Sequence, residues 1–357
     1  MKKLISIIIP TYNMEQYLEY CLNSLLISKN FELQDIIVVN DGSKDKSLEI
    51  ARGFEKQYPG VFRIIDKPNG NYGSCINAAL QLAEGKYVKV LDADDSFDKD
   101  NFEDYVEWLQ SIDADLVLSD FAVVDENRTI KKIIRYGFPV GAELSSDEIC
   151  RTDEFKSMQM HAVTYRRENL LKIGYHQVEG VSYTDQQWIF TPMITVKRVY
   201  NYDKPIYKYL IGRVGQTMDP AIRNKQITHN IACVEGMLED YNRLRENISS
   251  SMLEYLRCRL IWMIKDTYIK LLSDYNSKTK ERAVKFDEML FERSQEIYDL
   301  VGSREISSFK GFEYLTYWRT HKGISTFIIR TLCRAYVSLM DMKNRMREPG
   351  KMSIPAI

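Results

Sequence analysis

Lys86-Tyr87-Val88-Lys89-Val90-Leu91-Asp92-Ala93-Asp94-Asp95 is the stretch on which the reading of this chain turns. A short β-rich run followed at once by carboxylates predicts a buried strand that delivers acidic groups to the edge of a parallel sheet. Open α/β sheets hold their ligands at that edge. Two carboxylates one residue apart on a turn can hold a hard divalent cation through oxygen and leave its other positions to water and phosphate. An acidic turn that only solvates a strand end is the other reading of these residues.

Upstream of this stretch, residues 4–9 form a continuous apolar strand stopped by Pro10, and residues 15–26 show helical spacing through Leu18, Cys21, Leu22 and Leu25. A second strand, 35–39, ends in Asn40-Asp41-Gly42-Ser43, a turn that also supplies capping oxygens to a helix through Leu48, Ala51 and Phe54. After a third strand at 61–65 comes Asn69-Gly70-Asn71-Tyr72-Gly73. A helix capped by Ser74 is then expected to carry Ile76, Leu80 and Ala83 to a stop at Gly85.

Strands alternating with helices of this length predict right-handed crossovers and a doubly wound, mostly parallel sheet, continued by a helix at 101–112 and a strand at 116–121. From about 122 to 220 the rhythm loosens into short strands and loops, including 160–165, 199–202 and 206–211. Beyond that the pattern is helical, through Ile227, Ile231, Val234, Leu238 and Tyr241, then Leu253, Leu256, Leu260, Met263, Thr267 and Leu271. The expected division is an α/β domain over 1–225 and a helical region over 226–357.

A chain of 357 residues with 45% hydrophobic and 28% charged residues has the composition of a soluble globular protein rather than a disordered or fibrous one. Cys21, Cys75, Cys150, Cys233, Cys258 and Cys333 form no Cys-x-x-Cys, and the first residues, Met-Lys-Lys-Leu-Ile-Ser, run straight into a strand. Reduced thiols and a cytoplasmic location are expected. No apolar run approaches the roughly eighteen residues that span a bilayer. Residues 226–357 hold 21 Lys and Arg against 17 Asp and Glu, so the helical region is the basic part of a chain whose net charge is -1.

Ser6-Ile7-Ile8-Ile9-Pro10-Thr11-Tyr12-Asn13, Val38-Val39-Asn40-Asp41-Gly42-Ser43, the segment 69–77 and the run from Gly85 to Asp95, in that order and spacing, resemble the family 2 inverting glycosyltransferases of the GT-A fold. The likeness is close over about the first 100 residues and extends more loosely to about 220. It implies that Pro10, Thr11, Tyr12 and Asn13 enclose a nucleotide base, that Asp41 accepts a hydrogen bond from it, and that Asp92 lies near the ribose. Asn69, Gly70, Asn77 and Ala93 fall on the same donor side, and Asp94 is the implied ligand of Mn2+ or Mg2+. Many relatives carry Ala-Arg where this chain has Cys75-Ile76.

The residues are consistent with that reading on physical grounds. A dinucleotide fold places G-x-G-x-x-G after its first strand, so that a helix N-terminus holds the pyrophosphate. This chain has Pro10-Thr11-Tyr12-Asn13 there, so a bound diphosphate must find its positive charge elsewhere, and a cation on Asp94 would supply it.

Single displacement of a sugar also needs a base on the acceptor hydroxyl, opposite the leaving diphosphate. The family has an acidic pair where this chain has Thr184-Asp185, and Asp185 matches the second member, the base. A helix cap starting at Gln186 is the competing role for Asp185. Arg213, in Gly212-Arg213-Val214-Gly215-Gln216-Thr217, matches a segment that closes over the donor diphosphate in relatives, and its planar fork suits phosphate. His161, on a short apolar strand, reads as a core histidine or as a lining of the acceptor pocket.

The implied activity is inverting, metal-dependent transfer of a sugar from a nucleoside diphosphate, UDP first, to a hydroxyl acceptor in surface polysaccharide or lipid-linked oligosaccharide synthesis. The Gln-x-x-Arg-Trp signature of processive synthases is absent from the sequence. Two alternatives stay open, a catalytically inactive scaffold that binds sugar nucleotide, and a sugar nucleotidyltransferase, which would need a Gly-rich basic loop after the first strand. No nucleic-acid partner is expected. In 319–347 seven basic residues (Arg319, Lys322, Arg330, Arg334, Lys343, Arg345, Arg347) stand against Asp341, and Ile328, Leu332, Ala335, Leu339, Met342 and Met346 fall at helical spacing. Such a stripe can pack on the preceding helices, join two copies in a homo-oligomer, or lie on the inner leaflet of the membrane.

Overall fold

Strand β1 (Ile5–Thr11) buries Ile5, Ile7, Ile8 and Ile9 completely, because it lies between two parallel neighbours, β2 (Gln34–Asn40) and β4 (Tyr87–Val90). Pro10 does not stop it. The β4 pairing ends at Ile8 opposite Val90, and the Pro10 nitrogen faces that vacated side, so its missing N–H breaks no ladder bond while Pro10 stays in register with Val39.

The computed structural model describes residues 2–182, 184–213, 227–273, 276–321 and 327–346, the side chains of 247 and 340–346 excepted. Two compact units make up the chain, Met1–Val214 and Gly215–Ile357. In the first, β3 (Phe62–Asp66) flanks β2 in parallel, and the sheet continues past β4 in the order β3-β2-β1-β4-β9-β6-β10-β5. Here β5 is Ser96–Phe97, β6 is Leu116–Val124, β9 is Val163–Arg166 and β10 is Arg198–Leu210. Two further strands, β7 (Ile130–Ile134) and β8 (Leu144–Ser145), pair with β6 and β10.

The sheet is mixed. Strand β9 runs antiparallel between β4 and β6, so β6 does not follow β4 directly as uninterrupted alternation would have it. All nine residues of β6 are buried, as a strand covered on both faces requires. Lys89 fixes the β4 side of this seam. Its buried amine donates to the carbonyls of His161 (2.7 Å) and Val163 (3.2 Å), and burial lowers its pKa to about 7.

The helices of this unit are α1 (Leu18–Asn23), α2 (Ser47–Gln57), α3 (Asn71–Leu82), α4 (Lys99–Leu109), the short α5 (Ser146–Ile149) and α6 (Asp153–Lys156), α7 (Arg167–Lys172) and α8 (Asp185–Trp188). Helix α3 starts three residues before Ser74, which lies in its first turn and is not its cap. The amides of Gly70 and Asn71 are instead taken by the Asp41 carboxylate, a partner far off in sequence. Gly73 lets a loop seat on this helix, since a Cβ there would stand 2.2 Å from the Val178 carbonyl oxygen.

The second unit consists, among the described residues, of helices Ile227–Leu244, Ser250–Ser273, Ser277–Arg293, Gln295–Gly302, Tyr314–Thr320 and Phe327–Met346 with one short 3-10 turn. The last packs on Ser250–Ser273 through Ile329 and Cys333, which are fully buried. Of the three uses open to the stripe, Ile328 and Leu339 do not show packing on these helices, because the helix carries a second apolar face one residue away. Ile328 is 60% and Leu339 51% exposed, and Phe327 beside them is 74% exposed. Lys322 and Arg347, and the side chains of Met342, Lys343, Arg345 and Met346, lie outside the described residues. No helix among the described residues is long and apolar enough to cross a membrane. All six cysteines are buried, and none is in a disulfide.

Candidate functional site

The carboxyl ends of β1, β2 and β4 lie side by side, so the three motif segments that follow them converge. After β1, Thr11 is buried, Tyr12 is half exposed, and Asn13 takes a left-handed φ of 53°. Asn13 Oδ1 accepts from Lys44 N at 2.8 Å, and the Asp41 amide donates to the Thr11 carbonyl, so the β1 and β2 loops are stitched together. Pro10 to Asn13, Asp41, Asn69 and Gly70 therefore stand in one place. Asn69 Nδ2 donates to the Asp41 carbonyl at 3.0 Å.

Asp41 is buried and fully engaged. Its Oδ1 accepts from Lys67 Nζ (2.6 Å) and Gly70 N (2.9 Å), and its Oδ2 from Asn71 N (2.9 Å). A carboxylate with three donors, one of them a lysine amine, holds the α3 N-terminus in place.

The acidic turn is different. Asp95 is buried, and accepts from Tyr207 Oη (2.6 Å) and Leu210 N (2.7 Å), which tie the turn to β10. Asp92 accepts from Tyr72 Oη at 2.7 Å, and its amide donates to Tyr207 Oη at 3.1 Å. Ala93 between them is buried. Burial, then the neighbouring Asp94, push Asp92 up to about 7 and hold Asp95 far above the usual carboxylate range. Three acids on four residues are thus short of positive charge.

Two arginines approach the turn. Arg213 Nε donates to Asp94 Oδ2 at 2.5 Å and its guanidinium lies 5.5 Å from the Tyr17 ring centre. Arg128, in the turn between β6 and β7, donates to the Asp94 carbonyl at 3.1 Å and stacks on Tyr20 at 4.3 Å. The rest of the segment expected to close over a diphosphate, Val214 to Thr217, lies outside the described residues.

Asp185 is the first residue of α8. The capping position is Thr184, whose side chain makes no capping bond, so Asp185 is not the helix cap weighed against a base. Its charge contributes to the upward push on Asp92, Tyr72 and Tyr209, which puts it within electrostatic reach of the acidic turn. Thr184, where the family has its first acid, is fully buried. Asn77 lies apart from the acidic turn. Its amide bonds the Gln177 backbone on both sides (2.8 and 2.9 Å) and Glu179 (2.9 Å), clamping the loop that leads toward Asp185.

His161 is buried against Tyr209 (ring centres 4.4 Å apart), Tyr207 (4.8 Å) and Phe121 (5.1 Å). Burial, then the Lys89 charge, lower it to about 3, so the imidazole is neutral. Sequence reasoning passed over Tyr72, Tyr207, Lys67 and Arg128. Tyr72 sat in plain view within Asn69-Gly70-Asn71-Tyr72-Gly73, whereas Tyr207 and Arg128 are brought in by strand pairing that no local pattern reveals.

Residues 6–138 match the model of glycosyl transferase family 2. An uncharacterized glycosyltransferase of Mycoplasma pneumoniae is 43% identical over 99 residues, covering 27% of this chain and 33% of that protein. YibD of Escherichia coli, also an uncharacterized glycosyltransferase, is 26% identical over 67% of this chain and 71% of its own length. The chain spans less than two thirds of the length of several of the curated relatives it matches. Among solved structures, Staphylococcus aureus TarS 1-349 in complex with UDP-GlcNAc aligns over 94% of this chain and 92% of its own, with a TM-score of 0.67 at 17% identity. That likeness is one of fold, the GT-A fold with a C-terminal helical region.

Proposed function

Residues 6–138 belong to glycosyl transferase family 2, and from that premise we propose that the chain transfers a sugar from a nucleoside diphosphate, a UDP-sugar first, to a hydroxyl acceptor with inversion. The observation that carries the proposal is the crowding of Asp92, Asp94 and Asp95 at the end of β4, with Arg213 on Asp94 and the Asp185 charge felt at Asp92. A UDP-sugar accords with the UDP-GlcNAc bound to TarS.

The residues of the turn fit a divalent cation, because their charge exceeds that of the arginines beside them and oxygen donors suit Mn2+ or Mg2+. When bound, the cation would neutralise charge on the diphosphate oxygens. Asp94, released from Arg213, is its proposed ligand, and Arg213 turns to the phosphates. Tyr12 and the loops around Asp41, Asn69 and Gly70 enclose the base. Asp185 takes the proton of the acceptor hydroxyl, and Asn77 and Gly73 position the loop that precedes it.

The acceptor is a saccharide or lipid-linked saccharide of surface polysaccharide synthesis, met at the membrane surface. Phe327, Ile328 and Leu339 give the last helix an exposed apolar face, and Arg330 and Arg334 flank it. Each basic residue near anionic lipid adds on the order of 1 kcal/mol. The protein should therefore co-sediment with anionic vesicles at low salt and dissociate as salt rises. Indifference to such vesicles would leave a subunit contact as the use of this face.

The reaction itself is tested by incubating purified protein with a panel of nucleotide sugars and reading slow hydrolysis by mass spectrometry. One donor should release its nucleoside diphosphate with Mn2+ or Mg2+ and not in excess chelator. An inactive scaffold would release none.

A further inference from the structure

We infer that His161 supplies an imidazole ligand to the divalent cation of the acidic turn, together with carboxylate oxygens of Asp92 and Asp95. The inference rests on the proposed cation-assisted transfer and names a nitrogen donor that the acidic motif does not contain. One ring nitrogen of His161 and one oxygen from each of the two carboxylates lie within 4.8 Å of one another. Three ligand atoms each about 2.1 Å from one metal can stand at most about 3.6 Å from one another when evenly spread around it. From separations within 4.8 Å, the three therefore need to close by about 1 Å, a movement of side chains.

An independent observation comes from the histidine itself. His161 is 7% exposed, and its Nδ1 is buried with no hydrogen-bond partner among the described residues. Leaving a buried polar atom unpaired costs about 1–3 kcal/mol, and a native protein keeps such an atom where an ion, a water or a chemical role answers it. Tyr209 and Tyr207 hold its plane, and the Lys89 amine holds its backbone through the His161 carbonyl.

The carboxylates are oriented in the same manner. Tyr72 holds Asp92 through one oxygen, and Tyr207 with the Leu210 amide holds Asp95, which leaves lone pairs of both acids for a metal. Asp94 has one oxygen on Arg213 and would join these ligands once that contact is released. A site with one nitrogen among carboxylate oxygens favours Mn2+ or Co2+ over Mg2+, because imidazole is a poor partner for the hardest cations.

Pulsed electron paramagnetic resonance on the full chain loaded with Mn2+ and UDP reads this directly, since a coordinated imidazole modulates the Mn2+ echo through its nitrogen. We expect that modulation in the wild type. In His161→Gln it should vanish, and Mn2+ affinity should fall about 10- to 100-fold while Mg2+ affinity changes less. If the variant does not fold, the wild-type spectrum decides alone. Bound Mn2+ without nitrogen modulation would overturn the role of His161 and leave the proposed cation in place. Absence of any Mn2+ binding in the presence of UDP would overturn the cation, and this inference with it.

Discussion

Asp41 and the acidic turn both end a central strand of one sheet, both are largely buried, and they do opposite things. Asp41 receives Lys67, the Gly70 amide and the Asn71 amide, so its charge is matched and its position is fixed. The turn after β4 crowds Asp92, Asp94 and Asp95 together, and burial drives two of them above the ordinary carboxylate range. A buried acid with its donors in place is architecture. Buried acids that lack their counter-charge indicate where a cationic ligand belongs.

Substitutions should separate the two. Asp94→Ala is expected to have the largest effect on function, reducing turnover to background and weakening UDP binding, because the diphosphate loses its strongest counter-charge. Its melting temperature should stay near the wild type's, since removing one acid relieves the repulsion among three. A variant with wild-type turnover would refute the assignment.

Next comes Asp185→Asn, expected to slow transfer by about 10²- to 10⁴-fold, the usual worth of a positioned general base. UDP affinity by calorimetry should be unchanged. An equal loss of donor binding would mean that this carboxylate serves the architecture, as Asp41 does.

The smallest expected effect is that of Asp41→Asn, and it falls on stability. The amide cannot accept from all three donors, so about 1–3 kcal/mol of folding stability should be lost, read as a lower denaturant midpoint. Should Asp41→Asn instead fold as stably as the wild type while losing UDP binding, the contrast between the two acids would collapse, and the base-binding role implied by the resemblance would take its place.

This contrast was half legible in the sequence. The alternation of strands and helices and the four motifs gave β1 to β4 and the position of the acids, because burial on both sheet faces writes itself as continuous apolar runs. Strand order beyond β4 was not legible, since β9 enters from far downstream, with Val88 opposite Tyr165, and local periodicity carries no register. The cap of α3 was misread for the same reason. Ser74 has the right chemistry nearby, but Asp41 arrives from another loop and takes the amides first. In the last helix the spacing of Ile328, Ala335 and Leu339 was plain, yet Ile329 and Cys333 fit the same period one step round, and only packing chooses between two apolar faces.

Titration of UDP into the purified protein by calorimetry, with Mn2+ and then in excess chelator, tests the central claim most directly. If the acids after β4 serve a cation that holds the diphosphate, UDP should bind at least about tenfold, or 1.4 kcal/mol, more tightly with the metal, and Asp94→Ala should abolish the difference. Equal affinity in metal and in chelator would contradict it, and would leave Arg213 and Arg128 as the charges that hold the donor.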